Sequence, residues 1–101
     1  MALITNPKTN VTELSGEYKM LSLNSLTITT ASDALTLSYA NNGISEIQNI
    51  IASITTGADA NLATLVPSYS GLVVTIVSKN ASGEAASDWT SAAINLVIIG
   101  K

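Results

Sequence analysis

The sequence predicts an all-β fold, an antiparallel sandwich or barrel formed by one domain. Apolar residues alternate with polar ones along most of the chain, as they do in half-buried strands. Gly, Pro, Asn and Ser punctuate these stretches at intervals of roughly 8–12 residues, which is typical of antiparallel sandwiches and barrels. The 101 residues suffice for one modest hydrophobic core. We therefore expect six or seven short strands and no second domain.

The chain begins with a segment that lacks a sustained period. Residues 1–16 contain Pro7 and several Asn and Thr residues, and Gly16 closes them. We interpret residues 1–16 as a polar N-terminal arm and residues 17–101 as a single β-sandwich domain. A half-buried strand is predicted next, from three alternating pairs: Tyr18 and Met20, Leu21 and Leu23, and Leu26 and Ile28.

The following strand has the clearest alternation. Ser32-Asp33 is predicted to form a turn, after which Leu35, Leu37 and Tyr39 alternate with hydroxyl residues. Asn41-Asn42-Gly43 predicts a tight turn, because both residue types tolerate positive φ.

Residues 44–56 are ambiguous. Isoleucines at 44, 47, 50, 51 and 54 recur at helical spacing, and Ser45 with Gln48 resembles a capping box. Five Ile and two Thr residues are β-branched and favour a strand instead. From the residues alone, helix and strand remain about equally supported.

The second half of the chain predicts further strands. Leu62, Thr64 and Val66 indicate a short edge strand that ends at Pro67, followed by a turn at residues 68–71. Residues 72–77 are apolar on both faces, which predicts a cover on both sides and suggests a neighbouring subunit. After a small-residue loop at 80–88, Ile94, Leu96 and Ile98 alternate with Asn95, Val97 and Ile99. Trp89, Tyr39 and Tyr69 are aromatic candidates for sugar stacking or for an interface, and for Trp89 a place in the core is favoured.

Composition limits the possible partners. Hydrophobic residues form 47% of the chain and charged residues only 11%, with a net charge of −3. Such a surface repels its own copies weakly, so we expect a homo-oligomer or another assembly. Four scattered Lys and no Arg argue against nucleic acid and anionic membranes as partners. We expect synthesis in a host cytoplasm without a signal peptide.

Catalytic chemistry has little support in the sequence. The chain has no His and no Cys, which removes the common nucleophile–base pairs and thiolate metal sites. Ser78 and Lys79 could suggest a nucleophile–base pair, but adjacent residues of a strand point to opposite faces and cannot share a proton. Glu13 with Glu17, and Glu84 with Asp88, could imitate the carboxylate pair of a glycosidase, but all four are expected to be solvated. Asp59, Asn61 and Thr64 offer oxygen ligands for Ca²⁺ but lack the EF-hand pattern. We expect no enzyme activity, no cofactor and no metal.

The C-terminal two thirds resemble small virion proteins of tailed bacteriophages, over roughly residues 35–101. The resemblance rests on Gly43-Ile44 with Ile47, Ile50-Ile51-Ala52-Ser53, Val73-Val74-Thr75-Ile76-Val77-Ser78, Ser82-Gly83, Asp88, and Ile94-Asn95-Leu96-Val97-Ile98-Ile99-Gly100-Lys101. It implies a jelly-roll-like sandwich of six to eight strands that sits on a capsid or tail, commonly as a trimer. It also implies that residues 44–53 form a strand.

These observations together predict a virion structural protein, most simply a capsid decoration or cement protein. Its partners would be the major capsid protein or another virion protein, in addition to its own copies. A receptor- or glycan-binding module of a tail fibre is the alternative, and it requires an exposed Trp89 or Tyr69. The candidate subunit or capsid contacts are Leu3, Ile4, Pro7, Leu72, Val74, Ile76, Val97 and Ile99.

Overall fold

The fold is all-β and sandwich-like, as the alternation predicts. A computed structural model describes residues 2–5, 10–13, 16–87, 89 and 91–101. These residues include one short helix, α1 (Tyr39–Asn42), and eight strands. The strands are β1 (Ala2–Leu3), β2 (Asn10–Glu13), β3 (Lys19–Ile28), β4 (Ser32–Thr36), β5 (Ile47–Thr56), β6 (Thr64–Ser70), β7 (Val73–Lys79) and β8 (Ala92–Gly100).

The strands form two four-stranded sheets. Sheet I has the order β1-β4-β7-β6, and sheet II has the order β2-β3-β8-β5. All neighbouring strands are antiparallel except β1 and β4, which are parallel. Successive strands lie in different sheets after β1, β3, β4, β5 and β7, so the two sheets share a single core.

One hydrophobic core lies between the inward faces of the sheets. Sheet II contributes Leu21, Leu23, Ile94, Leu96 and Ile98, and sheet I contributes Leu35, Val74 and Ile76. All eight side chains are buried, with at most 2% of each exposed. Burying one such side chain contributes about 1.5–3 kcal/mol relative to leaving it in water, which makes these two faces the main source of stability.

A β-bulge in β3 explains why its apolar residues change phase. Leu21 and Leu23 face the core, and so do Leu26 and Ile28, yet the two pairs are out of step by one residue. The register against β8 shifts between Leu23 and Leu26, where Ser25 has a φ of 58°. The extra residue keeps both pairs on the buried face.

Most of the ambiguous segment is a strand, β5, which begins at Ile47 and not at Ile44. Ile50, Ala52 and Ile54 are partly buried against the core, whereas Ile51 between them is 58% exposed. Burial therefore follows a period of two. The helical spacing of the isoleucines fails as a signal, because Ile51 belongs to the outer face and Ile44 precedes the strand.

The predicted turn at Ser32-Asp33 is wrong by a few residues. Ser32 and Asp33 begin β4, and the turn lies at residues 29–31. The buried Asp33 carboxylate accepts hydrogen bonds from the backbone N–H of Thr29 (2.7 Å) and Thr30 (3.3 Å), and from the Thr30 hydroxyl. A strand residue thus caps the turn before it.

The predicted tight turn at Asn41-Asn42-Gly43 is present as the end of α1. Ser38 caps the helix by accepting a hydrogen bond from the N–H of Asn41, and Gly43 ends it with a φ of 76°. The strand predicted to reach Tyr39 stops at Thr36, because Tyr39 is already the first helical residue.

The predicted end of an edge strand at Pro67 is also wrong. β6 continues to Ser70, and the turn follows at residues 71–72. Pro67 is tolerated because β6 is the outermost strand of sheet I, where a proline ring can face away from the ladder.

Parts of the segment predicted as an N-terminal arm pair with the sheets. Ala2–Leu3 pairs with β4, the N–H of Ile4 donates to the carbonyl of Ala34 (2.7 Å), and Asn10–Glu13 pairs with β3. The sequence did not predict this pairing, because two and four residues are too few to show alternation. Residues 1, 6–9, 14 and 15 lie outside the described part of the chain.

None of the described helices could cross a bilayer, since the single helix described has four residues.

Candidate interaction surface

The outer face of sheet II carries a continuous apolar surface. On β8, Val97 and Ile99 point away from the core, since Leu96 and Ile98 point into it. Val97 pairs with Ser22 on one side and Ile51 on the other. Ile99 pairs with Met20 and Asn49. Directly paired residues share a face, so the apolar members are neighbours.

We define the sheet II patch as Met20, Ile51, Val97 and Ile99. Ile51 is 58% exposed, and the other three side chains are partly exposed. The members and their paired neighbours Ser22 and Asn49 are uncharged. A grouped apolar surface of this kind marks a protein contact more often than scattered single residues do.

The outer face of sheet I is less continuous. Leu3 is 84% exposed, Val66 46% and Val73 40%. Val73 pairs with Thr36 and Ser70, and the next outward position, Thr75, pairs with Ser68. Val66 pairs with Val77, but the Thr75–Ser68 pair separates these two valines from Val73. The apolar surface of this face is therefore broken, and the face is a weaker candidate for a contact.

The predicted contact residues fall into three groups. Val97 and Ile99 lie in the sheet II patch, and Leu3 is exposed at the edge of sheet I. Val74, Ile76 and Ile4 are buried in the chain's own core, and Leu72 packs against that core, so these four residues are unsuited to contact a partner. Pro7 lies outside the described residues.

A second feature is a cleft with aromatic and charged residues. It has a volume of about 350 Å³ and is lined by Gly16, Glu17, Tyr18, Lys19, Tyr39, Ser45 and Lys101. We call it the Tyr–Lys cleft. The ammonium of Lys19 lies 5.7 Å from the centre of the Tyr39 ring, and that of Lys101 lies 5.5 Å from the Tyr18 ring. Both distances allow cation–π attraction.

Each lysine of the Tyr–Lys cleft has a further polar partner. Lys19 donates to the carbonyl of Gly43 (2.9 Å), and Lys101 lies 3.5 Å from the Glu17 carboxylate. Glu17 is 75% exposed, so this ion pair adds little stability. The side chains of the cleft thus include two ammonium groups and one carboxylate.

The residues considered for catalysis or metal binding lie in surroundings that favour neither role. Ser78 is fully buried, its hydroxyl has no hydrogen-bond partner among the described residues, and Lys79 lies on the opposite face. The Asp59 carboxylate accepts from the N–H of Asn61 and of Leu62. Within the described residues, His, Cys, Asp and Glu form no group of three that could hold a metal. The side chain of Glu13 and all of Asp88 lie outside what is described.

Two of the aromatic residues proposed for ligand binding already make contacts within the chain. Trp89 is partly buried and packs against the core, as its core interpretation predicts. Tyr69 is 45% exposed, and its hydroxyl donates to the carbonyl of Gln48 (3.2 Å).

Sequence reasoning missed Met20 and Ile51 in the patch and every member of the Tyr–Lys cleft except Tyr39. Met20 and Ile51 alternate with buried neighbours, so the alternation could have placed them on an outer face. The cleft has no local signal, because its residues come from three parts of the chain.

Comparison of the chain with protein-family models, with curated proteins and with solved structures finds no significant match.

Proposed function

We propose that the chain is a non-enzymatic structural protein of a tailed-phage virion, and that it decorates or cements the shell through protein–protein contacts. The observation that carries this proposal is the sheet II patch. It is an uncharged apolar surface on a chain with only 11% charged residues, and it lies on the opposite side of its sheet from the core.

The strand pairing supports the jelly-roll-like fold that belongs to this proposal. In a jelly roll, the first half of an antiparallel ribbon pairs with the returning half. Here β3 pairs with β8, and β4 pairs with β7, which gives two nested pairs. The next pair would be β5 with β6, which instead lie in different sheets. We propose a jelly-roll-like sandwich that is open between these two strands.

The patch suits a protein that acts in many copies. Four apolar side chains give a small contact, weaker than a stable interface between two free proteins. On a repeating shell, self-associated copies bind together, and avidity multiplies a weak contact. We propose that the partners are the major capsid or another virion protein and copies of the chain itself. The trimer implied by the phage resemblance is one possible assembly.

A shell-binding experiment tests this function. Purified chain is added to shells of the virus that encodes it, lacking their own copies, and bound copies are counted by quantitative mass spectrometry. Val97→Lys places a charge at the centre of the patch and should lower occupancy at least about tenfold, because an unpaired ammonium must be desolvated. Val73→Lys, on the outer face of sheet I, is the matched control. Equal occupancy of both variants and the unchanged chain would refute the role of the patch, and absence of the chain from mature particles would refute the virion function.

The Tyr–Lys cleft favours a second candidate function, a glycan-binding module of a tail fibre. Tyrosine rings can pack on sugar faces, and the two ammonium groups would attract a sugar carboxylate. Titration with glucuronate and, as the neutral control, glucose separates the candidates. Saturable NMR shifts of Tyr18 and Tyr39 with glucuronate alone would support glycan binding, and no shift with either sugar would count against it.

A further inference from the structure

The edge strand β5 is irregular near both ends, but the segment between these irregularities lacks the charges and prolines that usually prevent strand edges from pairing. β5 lies at the outer edge of sheet II, and β8 is its only hydrogen-bonded neighbour among the described strands. β6 of sheet I lies beside β5 without pairing, and a cleft between them is lined by Ala52, Ser53, Ile54, Ala63, Thr64 and Leu65. The ten residues of β5 include no charged residue and no proline. Native edge strands are commonly protected by Lys, Pro or a bulge. The neighbouring edge strand of sheet I, β6, contains Pro67.

The pairable part of β5 is well delimited. The register against β8 is irregular between Ile47 and Asn49 and again between Ile54 and Thr56. Near the first irregularity, the Tyr69 hydroxyl donates to the Gln48 carbonyl and covers that end of the edge. The regular segment, residues 49–54, therefore presents a short row of backbone N–H and C=O groups that another strand can satisfy.

We propose that two copies of this chain pair antiparallel along β5, about a two-fold axis that passes Ile51. The inference rests on the proposed function in one respect, that self-association belongs to it. An isologous contact requires a surface that complements itself. The edge of a strand that pairs antiparallel with its own copy complements itself when the residues placed opposite each other are compatible.

The sequence of β5 is compatible with itself in this register. Directly opposite residues share a face of the sheet, so outward residues must meet outward residues. With the axis at Ile51, the two Ile51 side chains pack together and Asn49 lies opposite Ser53. On the inner face, Ile50 lies opposite Ala52. A register centred on Ala52 would instead place each exposed Ile51 opposite Ser53, which buries less apolar surface.

A second copy fits this edge better than a foreign polypeptide. The segment has no charge with which to select a charged partner, and the net charge of −3 gives only weak repulsion between copies. Pairing would join two sheets of four strands into one sheet of eight. It would also place both sheet II patches on one side of the dimer, which doubles the surface available to a shell.

Sedimentation equilibrium of the full chain tests the pairing. The expected mass is twice 10.4 kDa. Ile51→Lys should raise the dissociation constant at least about tenfold, because like charges opposite each other destabilise paired strands. Val66→Lys is the matched control, since Val66 is 46% exposed on the other edge strand. It should leave the mass unchanged, and circular dichroism should show that both variants are folded.

A charge-swap experiment tests the register. Ile51→Lys and Ile51→Glu are mixed and analysed by native mass spectrometry, which distinguishes the two chains. A heterodimer that exceeds both homodimers supports the two-fold axis at Ile51. A monomeric or trimeric mass for the unchanged chain, equal effects of Ile51→Lys and Val66→Lys, or capture of foreign peptides by a monomer would each overturn the proposal. Shell binding is measured separately: a dimer that fails to bind shells refutes the proposed function alone, and a monomer that binds them refutes the pairing alone.

Discussion

At the scale of single residues, the most consequential polar side chain is Asp33. It is 1% exposed at the start of β4, and its carboxylate holds the turn at residues 29–31 through the amides of Thr29 and Thr30. A buried carboxylate is tolerated only where donors surround it. Asp33 therefore fixes the point at which the chain leaves sheet II and enters sheet I.

Asp33→Ala should lower the free energy of unfolding by about 2–3 kcal/mol, since it removes hydrogen bonds to a charged group and leaves turn amides without an acceptor. Asp59→Ala removes a similar cap from an exposed loop and should cost about 1 kcal/mol or less. Urea unfolding followed by Trp89 fluorescence measures both. Equal losses for the two variants would contradict the structural role assigned to Asp33.

At the scale of elements, the bulge in β3 decides which residues face the core. Asn24 and Ser25 separate two apolar pairs of opposite phase, and the Ser25 N–H donates to the Asn95 side chain (3.0 Å), which ties the bulge to β8. A strand of regular pleat could bury only one of the two pairs, since a shift of one residue reverses every side chain.

Deletion of Ser25 should preserve cooperative folding, because without the extra residue Leu21, Leu23, Leu26 and Ile28 alternate in a single phase and can all face the core from a regular strand. Ser25→Gly keeps the chain length and the positive φ, and it should change stability by less than about 1 kcal/mol. Thermal unfolding monitored by circular dichroism compares the two variants. Loss of the cooperative transition in the deletion variant would show that the bulge itself, and not only the facing of the two apolar pairs, is required.

A close contact between the backbone at Gly100 and the backbone at Glu46 also fixes the end of the last strand, β8. A Cβ at Gly100 would lie 2.4 Å from the carbonyl oxygen of Glu46, and the N–H of Lys101 donates to that same oxygen (2.9 Å). The glycine in the closing Ile99-Gly100 pair is thus required by the segment that leads into β5. The sequence shows the glycine but not the carbonyl that requires it.

At the scale of the whole molecule, low charge and an uncovered apolar face act together. The proposed contacts, the sheet II patch and the edge of β5, contain no charged residue. Association through them should depend on apolar burial and backbone hydrogen bonds, with a small opposing contribution from the net charge of −3.

Raising NaCl from about 50 mM to about 500 mM should therefore leave self-association unchanged or strengthen it slightly, because salt screens only the repulsion. Sedimentation equilibrium at both concentrations measures the dissociation constant. Dissociation at high salt would show that ion pairs, such as those the cleft lysines could form with acidic residues of a second copy, hold the assembly together.

The sequence by itself determined most of the strands and which of their residues share a face. Alternation along β3, β7 and β8 grouped the residues that share a face but not which face is inward, because the pleat of a strand is local whereas its burial is not. Even the phase change around Ser25 is visible as a break between Leu23 and Leu26. The low charge of the chain, from which self-association is inferred, is likewise a property of composition alone.

Only the tertiary structure decided which apolar faces are covered. Val74 and Val97 both lie in alternating, valine- and isoleucine-rich strands, yet Val74 is fully buried and Val97 is partly exposed. Strand order, the edge position of β5 and the convergence of Tyr18, Tyr39 and Lys101 depend on pairings between distant residues. Those pairings are set by packing energy across the whole core, which no local pattern in the chain encodes.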